Sequence, residues 1–247
     1  MVERGGYVYL EDENLGLLRL WGGRTGLRVL DLGCGFATTT AHLQRMGNEV
    51  VGVESSPAAA ATARGRLARV VEGDLQRPAE ILEQLRGETF DAIVLADVLE
   101  HVPWPAETLA AFLPLRRAGG RAIVSLPNVG LWSVRLAHLL GSWTYEDTGV
   151  LDRTHLRFFT ERTARELLEG AGLRVVESTI NPGIARPAVP LLKRLTLKDA
   201  PGQPVDPAAM LNSRSYRAYV RAVHPVERAV ASMWPGLLAF QMIFEAE

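Results

Sequence analysis

Short apolar segments alternate with segments of helical periodicity between Arg28 and Ile180. Runs rich in Val, Leu and Ile that end at glycine or polar residues predict buried strands, and apolar residues repeating with helical spacing predict helices. The predicted strands here are 28–32, 49–54, 69–72, 90–95, 121–126 and 173–180. The predicted helices are 37–46, 57–67, 78–86, 106–114 and 160–172. Such βαβ units predict an α/β, doubly wound (Rossmann-like), mostly parallel sheet with helices on both faces.

A seventh strand is predicted at 237–245, after a segment of different composition. Residues 181–235 contain eight of the fourteen prolines, and eight basic residues against three acidic ones. This segment is too short and too interrupted by proline for a second domain. We predict a Pro-rich basic insertion with helices at 207–223 and 226–234. A strand that returns after it predicts an antiparallel last strand at the edge of the sheet.

The predicted organisation is an N-terminal helical cap over residues 1–27, with a helix at 11–21, followed by a single domain over 28–247. Apolar residues make up 47% and charged residues 22% of the 247 positions, which is typical of a folded domain. The net charge of −1 argues against a nucleic-acid binder. The single cysteine excludes a disulfide framework. We find no signal peptide and no apolar run long enough for a membrane span, and we expect a cytoplasmic protein.

The strongest chemical signal is a glycine loop after the first predicted strand, Asp31-Leu-Gly-Cys-Gly35. Glycines let the backbone turn sharply and approach a ligand at the carboxyl end of a parallel strand. Thr38 stands where the dinucleotide pattern has its third glycine, and Asp31 would repel a phosphate but suits an ammonium group. Cys34 suits the loop because it is small, and we assign it no reactivity.

Two more acids follow the next two strands. Glu54 ends the second strand, where a carboxylate can accept hydrogen bonds from both hydroxyls of a ribose. Asp74 follows the third strand and could accept from an adenine amino group, with Leu75 against the ring. Either acid alone fits an exposed strand end equally well. Together with Asp31, they predict a ligand with an adenosine end and a cationic amino-acid end, which is the form of S-adenosylmethionine.

With these residues and Asp97-Val-Leu-Glu-His-Val102, the chain over residues 28–180 resembles the class I S-adenosylmethionine-dependent methyltransferases. The resemblance implies a seven-stranded sheet and S-adenosyl-L-methionine as the cofactor. The cofactor-binding residues it implies are Asp31, Gly33, Cys34, Gly35, Glu54, Ser55, Asp74, Leu75, Asp97 and Val98.

The segment after the fourth strand carries candidate chemistry. If it is helical, Asp97, Glu100 and His101 share one face. His101 could be a general base for an acceptor hydroxyl or amine, the three side chains could bind a divalent metal, or His101 could make a structural hydrogen bond. The segment resembles the acid-x-x-Glu-His segment through which ubiquinone-pathway O-methyltransferases and small-RNA methyltransferases bind a metal. This chain differs in having Asp rather than Glu at position 97.

A second polar cluster lies at residues 151–160. Asp152 or His155 could orient or deprotonate the acceptor, and Arg153 or Arg157 could bind an anionic group of it. The alternative is an ion pair between Arg157 and Asp152, with His155 capping a turn. The predicted catalytic residues are His155, His101 and Asp152.

This cluster and the upstream segment 125–128 resemble methyltransferases of bacterial polysaccharide and natural-product pathways. The resemblance implies a small-molecule acceptor, and we expect oxygen methylation of a sugar or secondary metabolite. Nitrogen or carbon methylation, and a non-catalytic cofactor-binding partner subunit, are the alternatives. A nicotinamide-dependent oxidoreductase is disfavoured because the chain lacks a Tyr-x-x-x-Lys pair.

Residues 127–160 are predicted to form a cap segment on the acceptor side. A helix within 129–143 either covers the acceptor or packs on the core, and the sequence favours packing on the core. The insertion 181–235 either contacts an acidic acceptor or forms a solvated or homodimer surface.

Overall fold

The computed structural model describes residues 3–4, 7–8, 13–184 and 219–247. Two short paired strands, β1 and β2, precede the main sheet. The strands are β1 (Glu3–Arg4), β2 (Tyr7–Val8), β3 (Arg28–Leu32), β4 (Glu49–Glu54), β5 (Arg69–Glu72), β6 (Phe90–Ala96), β7 (Arg116–Pro127), β8 (Val175–Pro182) and β9 (Ala239–Ala246). The α-helices are α1 (Leu15–Trp21), α2 (Thr40–Arg45), α3 (Pro57–Ala63), α4 (Pro78–Gln84), α5 (Pro105–Phe112), α6 (Trp132–Leu139), α7 (Glu161–Gly170), α8 (His224–Ala231) and α9 (Pro235–Leu238).

The seven strands β3 to β9 form one sheet in the order β5-β4-β3-β6-β7-β9-β8. All neighbours are parallel except β9, which is antiparallel to both β7 and β8. The predicted α/β fold class is confirmed. The predicted position of the last strand is wrong: β9 lies inside the sheet, and β8 forms the edge. The physical reason is that β9 is apolar on both faces, with Ile243 and Phe244 buried in opposite cores.

Each face of the sheet is covered by its own apolar core. Helices α1, α2 and α3 pack on one face, where Leu17, Trp21 and Leu43 are buried. Helices α4, α5, α7 and α8 pack on the other face, where Phe112 and Leu168 are buried. Both faces of the parallel strands are therefore dry, and binding groups are confined to the strand ends.

Helix boundaries are shorter in the structure than the periodicity predicts. Helix α2 begins at Thr40 rather than 37 because the glycine loop continues to Ala37, whose φ is 57°. Helix α1 begins at Leu15 rather than 11, after the N-cap Asn14. Strand β9 begins at Ala239 because the residues before it form the short helix α9.

The predicted cap segment differs most from expectation. Helix α6 does not pack on the core as predicted, since none of its residues is buried. Leu139 is 82% exposed, and Leu140 just beyond the helix is 76% exposed. Of the predicted insertion helices, α8 corresponds to 226–234, whereas most of 207–223 lies outside the described residues. No helix in the described ranges combines the length and apolarity needed to cross a membrane.

Asn128 connects the end of β7 to the start of β9. It is fully buried, its side-chain amide donates to the carbonyl of Ala239 at 2.9 Å, and its side-chain oxygen accepts from the backbone N–H of Gly130 at 2.9 Å. We expect Asn128→Ala to reduce the free energy of unfolding by about 1–3 kcal/mol, because buried backbone groups lose their partners.

Urea unfolding of the wild type, Asn128→Ala and the exposed control Ser142→Ala measures this effect. Equal stability of the two variants would contradict the role of Asn128.

Candidate active site

The strand order defines a crevice at the carboxyl ends of β3 and β6. The chain continues from β3 to β4 on one side of this point and from β6 to β7 on the other. Open parallel sheets bind ligands at such a switch point. Gly33, directly after β3, has a φ of +72°, and a Cβ there would lie 2.7 Å from a methyl carbon of Val98, which follows β6. The two walls of the crevice therefore approach to a distance that only glycine permits at this position.

Asp31 lies at the base of the glycine loop and is 3% exposed. Burial raises the pKa of Asp31 to about 7; a hydrogen bond donated by the Thr40 hydroxyl opposes this rise, and the nearby Glu54 adds to it. Burial, together with Asp31 and Glu54, also raises the pKa of the Cys34 thiol. Cys34 is therefore a neutral packing residue, in agreement with the lack of reactivity expected for it.

Glu54, at the end of β4, is buried beside the glycine loop. Its carboxylate accepts from the backbone N–H of Gly35 at 2.9 Å and from that of Ser56 at 2.7 Å. The hydroxyl of Ser55 lies 3.4 Å from the same carboxylate. These bonds fix the carboxylate of Glu54 beside the glycine loop, and its contact with a ribose stays a prediction.

Asp74 and Leu75 follow β5 at the same edge of the sheet. Asp74 is half-buried and accepts from the backbone N–H of Gln76 at 2.9 Å, while Leu75 is buried. The structure thus brings Asp31, Glu54 and Asp74 to the neighbouring ends of β3, β4 and β5.

Asp97 does not begin a helix, contrary to the helical arrangement considered from the sequence. Its φ of 56° turns the chain immediately after β6. The Ser125 hydroxyl donates to Asp97 at 3.2 Å, and the side-chain amide of Gln241 donates to its other carboxylate oxygen. Asp97 is therefore held by β7 and β9 at the floor of the crevice.

Glu100, His101 and His155 form a cluster beyond Asp97. One potential ligand atom from each lies within 4.8 Å of the other two. Glu100 is 1% exposed, and neither of its carboxylate oxygens has a hydrogen-bond partner in the described part of the chain. Burial, reinforced by Asp97, raises the pKa of Glu100 well above its ordinary value. A buried carboxylate without hydrogen-bond partners, next to two imidazoles, is the set of ligand groups expected of a cation site.

Both imidazoles of the cluster are uncharged at neutral pH. Burial, with the nearby His155, lowers the pKa of His101 to about 4, and burial also lowers the pKa of His155. Nδ1 of His155 lies 3.1 Å from the carbonyl of Val150, and Nδ1 of His101 lies 3.3 Å from that of Thr154. Because a carbonyl only accepts, Nδ1 carries the proton in each ring and Nε2 is the basic nitrogen.

Backbone hydrogen bonds connect the polar segment 151–160 to Glu100. The N–H groups of Leu156 and Arg157 donate to the carbonyl of Glu100 at 2.8 and 3.1 Å. Asp152 accepts from the backbone N–H and the hydroxyl of Thr154, at 2.8 and 2.6 Å. Asp152 therefore fixes Thr154, whose backbone carbonyl lies next to Nδ1 of His101.

The ion pair considered between Arg157 and Asp152 does not form. Arg157 donates to the carbonyls of Leu156 and Pro103 instead, with its guanidinium carbon 5.9 Å from the ring centre of Trp104. Arg153 pairs with the exposed Asp147 at 2.5 Å. The alternative prediction, an ion pair between Arg157 and Asp152, is thus wrong.

An aromatic wall, formed by Trp143, Tyr145 and Phe158, extends outward from the cluster. The ring centre of Phe158 lies 6.1 Å from that of His155, 5.4 Å from that of Trp143 and 6.4 Å from that of Tyr145. Sequence reasoning missed both Phe158 and Gln241. Phe158 stands inside the motif already singled out, whereas Gln241 lies on the last strand with no local signal.

Comparisons with known proteins agree with this geometry. A family model described as a methyltransferase domain matches residues 10–178. A ubiquinone biosynthesis O-methyltransferase from Nitrosococcus oceani is 34% identical over 131 residues, covering 51% of this chain and 56% of that protein. One from Aeromonas salmonicida is 31% identical over 162 residues, covering 62% and 66%. The chain thus spans between about half and two thirds of these curated relatives.

Among solved structures, an S-adenosylmethionine-dependent methyltransferase from Archaeoglobus fulgidus is similar in fold. Its TM-score is 0.58 at 19% identity, with 93% of this chain and 90% of that one covered. The fold and the matched domain define a class I S-adenosylmethionine-dependent methyltransferase. The chain belongs to the methyltransferase-domain family.

The raised pKa of Asp31 predicts a pH-dependent affinity for S-adenosylhomocysteine. A cofactor ammonium favours the ionised carboxylate, which is lost as the pH falls below about 7. We expect affinity to decrease between pH 7 and 5, by at most about tenfold per pH unit.

Calorimetric titration at several pH values measures this dependence. Asp31→Asn should bind more weakly and lose the dependence in this range, because its side chain cannot ionise. A wild-type affinity that is constant from pH 5 to 7 would contradict the ammonium contact.

Proposed function

We propose that this chain transfers the methyl group of S-adenosylmethionine to a hydroxyl of a small molecule. The observation that carries the proposal is the cluster of Glu100, His101 and His155 next to Asp97, at the crevice where the cofactor is expected. Uncharged imidazoles beside a buried carboxylate suit an acceptor group that must lose a proton. Nitrogen or carbon methylation would not explain this set of groups as directly.

The proposed cofactor contacts follow from the strand ends. Asp31 faces the ammonium end, Glu54 with Ser55 holds the ribose, and Asp74 with Leu75 holds the adenine. Asp97 and Val98 line the wall opposite the glycine loop, formed by Gly33, Cys34 and Gly35. This arrangement directs the sulfonium methyl toward the side of the crevice that contains His101 and His155.

The transfer is an in-line displacement at the methyl carbon. A lone pair of the acceptor oxygen forms the new C–O bond, the C–S bond breaks, and its electron pair remains on sulfur. The hydroxyl proton passes to water or, when no cation occupies the cluster, to Nε2 of His155. Most of the acceleration comes from holding oxygen and methyl in line, because oriented reactants reach effective concentrations of about 10⁵–10⁸ M.

The cluster also fits the divalent metal that the family resemblance implies. Glu100 offers two unpartnered carboxylate oxygens, and the tautomers of His101 and His155 present Nε2 lone pairs. A divalent cation bound there would lower the pKa of an acceptor hydroxyl. His101 and His155 would hold it, and Asp152 would keep Thr154, and through it His101, in place.

We assign the acceptor to hydroxyl-bearing aromatic metabolites rather than sugars. The aromatic wall of Trp143, Tyr145 and Phe158 offers flat apolar surface next to His155, and rings prefer edge-to-face or offset contacts with such residues. The curated relatives are named for oxygen methylation in ubiquinone biosynthesis, which supports the same chemistry. An anionic group on the acceptor stays a prediction.

Methyl transfer to 3,4-dihydroxybenzoate and to a hexose, followed with labelled S-adenosylmethionine, tests the proposal. We expect product from the phenol, and a loss in kcat of about 10²–10⁴-fold in His155→Ala. His42→Ala is the matched control, since His42 lies on α2 and its recorded hydrogen-bond partner is Glu13. Full turnover by His155→Ala, or methylation of neither acceptor, would contradict the proposed function.

The aromatic wall gives a second prediction. Phe158→Ala should raise KM for the phenol more than it lowers kcat, because it removes binding surface and leaves Glu100, His101 and His155 in place. Phe158→Leu, which keeps apolar volume but no ring, separates ring contacts from general packing. An unchanged KM in both variants would place the acceptor elsewhere.

A further inference from the structure

The side chain of Glu100 is buried, and neither of its carboxylate oxygens has a hydrogen-bond partner among the described residues. The nearest basic atom recorded is Nε2 of His155, 4.0 Å from the carboxylate. At that separation the imidazole does not hydrogen-bond to the acid, and both carboxylate oxygens stay without a partner. A buried acid in this position must either carry a proton or bind a cation.

Asp97 lies near this cluster, but residues of other strands bind its carboxylate oxygens. Its left-handed backbone and its hydrogen bonds from Ser125 and Gln241 fix the carboxylate toward β7 and β9. Its side chain is also one methylene shorter than the glutamate found in the metal-binding segment that this region resembles. The set within mutual reach among the described residues is therefore one carboxylate and two imidazoles.

We propose that Glu100, His101 and His155 alone provide the protein ligands of this site, and that they select a transition metal such as Zn²⁺, Co²⁺ or Fe²⁺ over Mg²⁺. Asp97 serves the cofactor side only. The inference rests on the proposed function for the place of the site, beside the acceptor, but it concerns the identity and ligands of the ion.

The chemistry of the donor set carries the selectivity. Two imidazoles and one carboxylate form the ligand type that binds first-row transition ions and leaves positions open for other ligands. Mg²⁺ prefers oxygen ligands and retains its waters, so a site with two imidazoles and a single carboxylate disfavours it.

The groups behind the ligands support the same assignment. Metal-bound histidines usually donate their second N–H to a carbonyl or carboxylate, which fixes the tautomer. His155 does so toward Val150 and His101 toward Thr154. Asp152 in turn accepts two hydrogen bonds from Thr154, so its effect on the site is one of positioning.

The test is titration of the chelator-treated protein with Co²⁺ and, separately, Mg²⁺, followed by visible absorption and calorimetry. We expect one Co²⁺ per chain, bound at least about 100-fold more tightly than Mg²⁺. His155→Ala and Glu100→Gln should lose the cobalt absorption, whereas Asp97→Asn and the control His42→Ala should keep it. Equal affinities for the two ions, or loss of cobalt binding in Asp97→Asn, would overturn the proposal.

The unfolding temperature of Glu100→Gln distinguishes the loss of a metal ligand from the loss of folding. Without metal, it should unfold at the same or a higher temperature than the wild type, because a neutral amide replaces a buried unpaired acid. Cobalt should then stabilise the wild type and leave Glu100→Gln unchanged. A metal-free Glu100→Gln protein that unfolds far below the wild type would show that Glu100 is structural and overturn its assignment as a ligand.

Failure of this inference and failure of the proposed function are distinguishable. If methyl transfer to 3,4-dihydroxybenzoate continues undiminished in chelator and no cobalt binds, the metal proposal fails and the function stands. If cobalt binds as described but no hydroxyl acceptor is methylated, the site assignment stands and the function fails.

Discussion

The parallel pairing of β3 with β4 on one side and β6 on the other determines where this protein can act. The chain leaves β3 and β6 toward different halves of the sheet, so neither connection fills the space above their ends. Both walls of that space need left-handed backbone, at Gly33 and at Asp97. Glycine adopts it freely, whereas Asp97 is kept there by hydrogen bonds from two other strands.

The same geometry concentrates buried acids. Asp31, Glu54 and Glu100 are each at most 3% exposed. They differ in the hydrogen bonds that stabilise their carboxylates. Glu54 accepts two backbone N–H groups, Asp31 accepts one hydroxyl, and Glu100 has no partner among the described residues. The protein thus compensates charge on these acids unequally, and a sulfonium, an ammonium or a metal cation would stabilise their ionised forms.

The sequence allowed prediction of what depends on local pattern. The strands and the acids at their ends follow from alternating apolar segments, and the resulting fold class and family are confirmed. The position of β9 depends on pairing with distant strands, which periodicity does not encode. Asp97 breaks an apparently helical spacing through its left-handed turn, and its contact with Gln241 joins residues far apart in the chain. The exposed α6 shows that apolar spacing alone does not identify what a helix packs against.

The central position of β9 also constrains the order in which the molecule can fold. Strand β8 is made earlier than β9, yet its sheet contacts are with β9. Strand β8 can therefore pair only after the Pro-rich segment and β9 have been synthesised. Pairing strands so far apart in sequence is slow, because the chain between them loses conformational entropy before the strand contacts form. The parallel part of the sheet can assemble first, but Asp97 receives the amide of Gln241 only when this last step is complete. Formation of the crevice floor is consequently tied to this long-range pairing of the last strand.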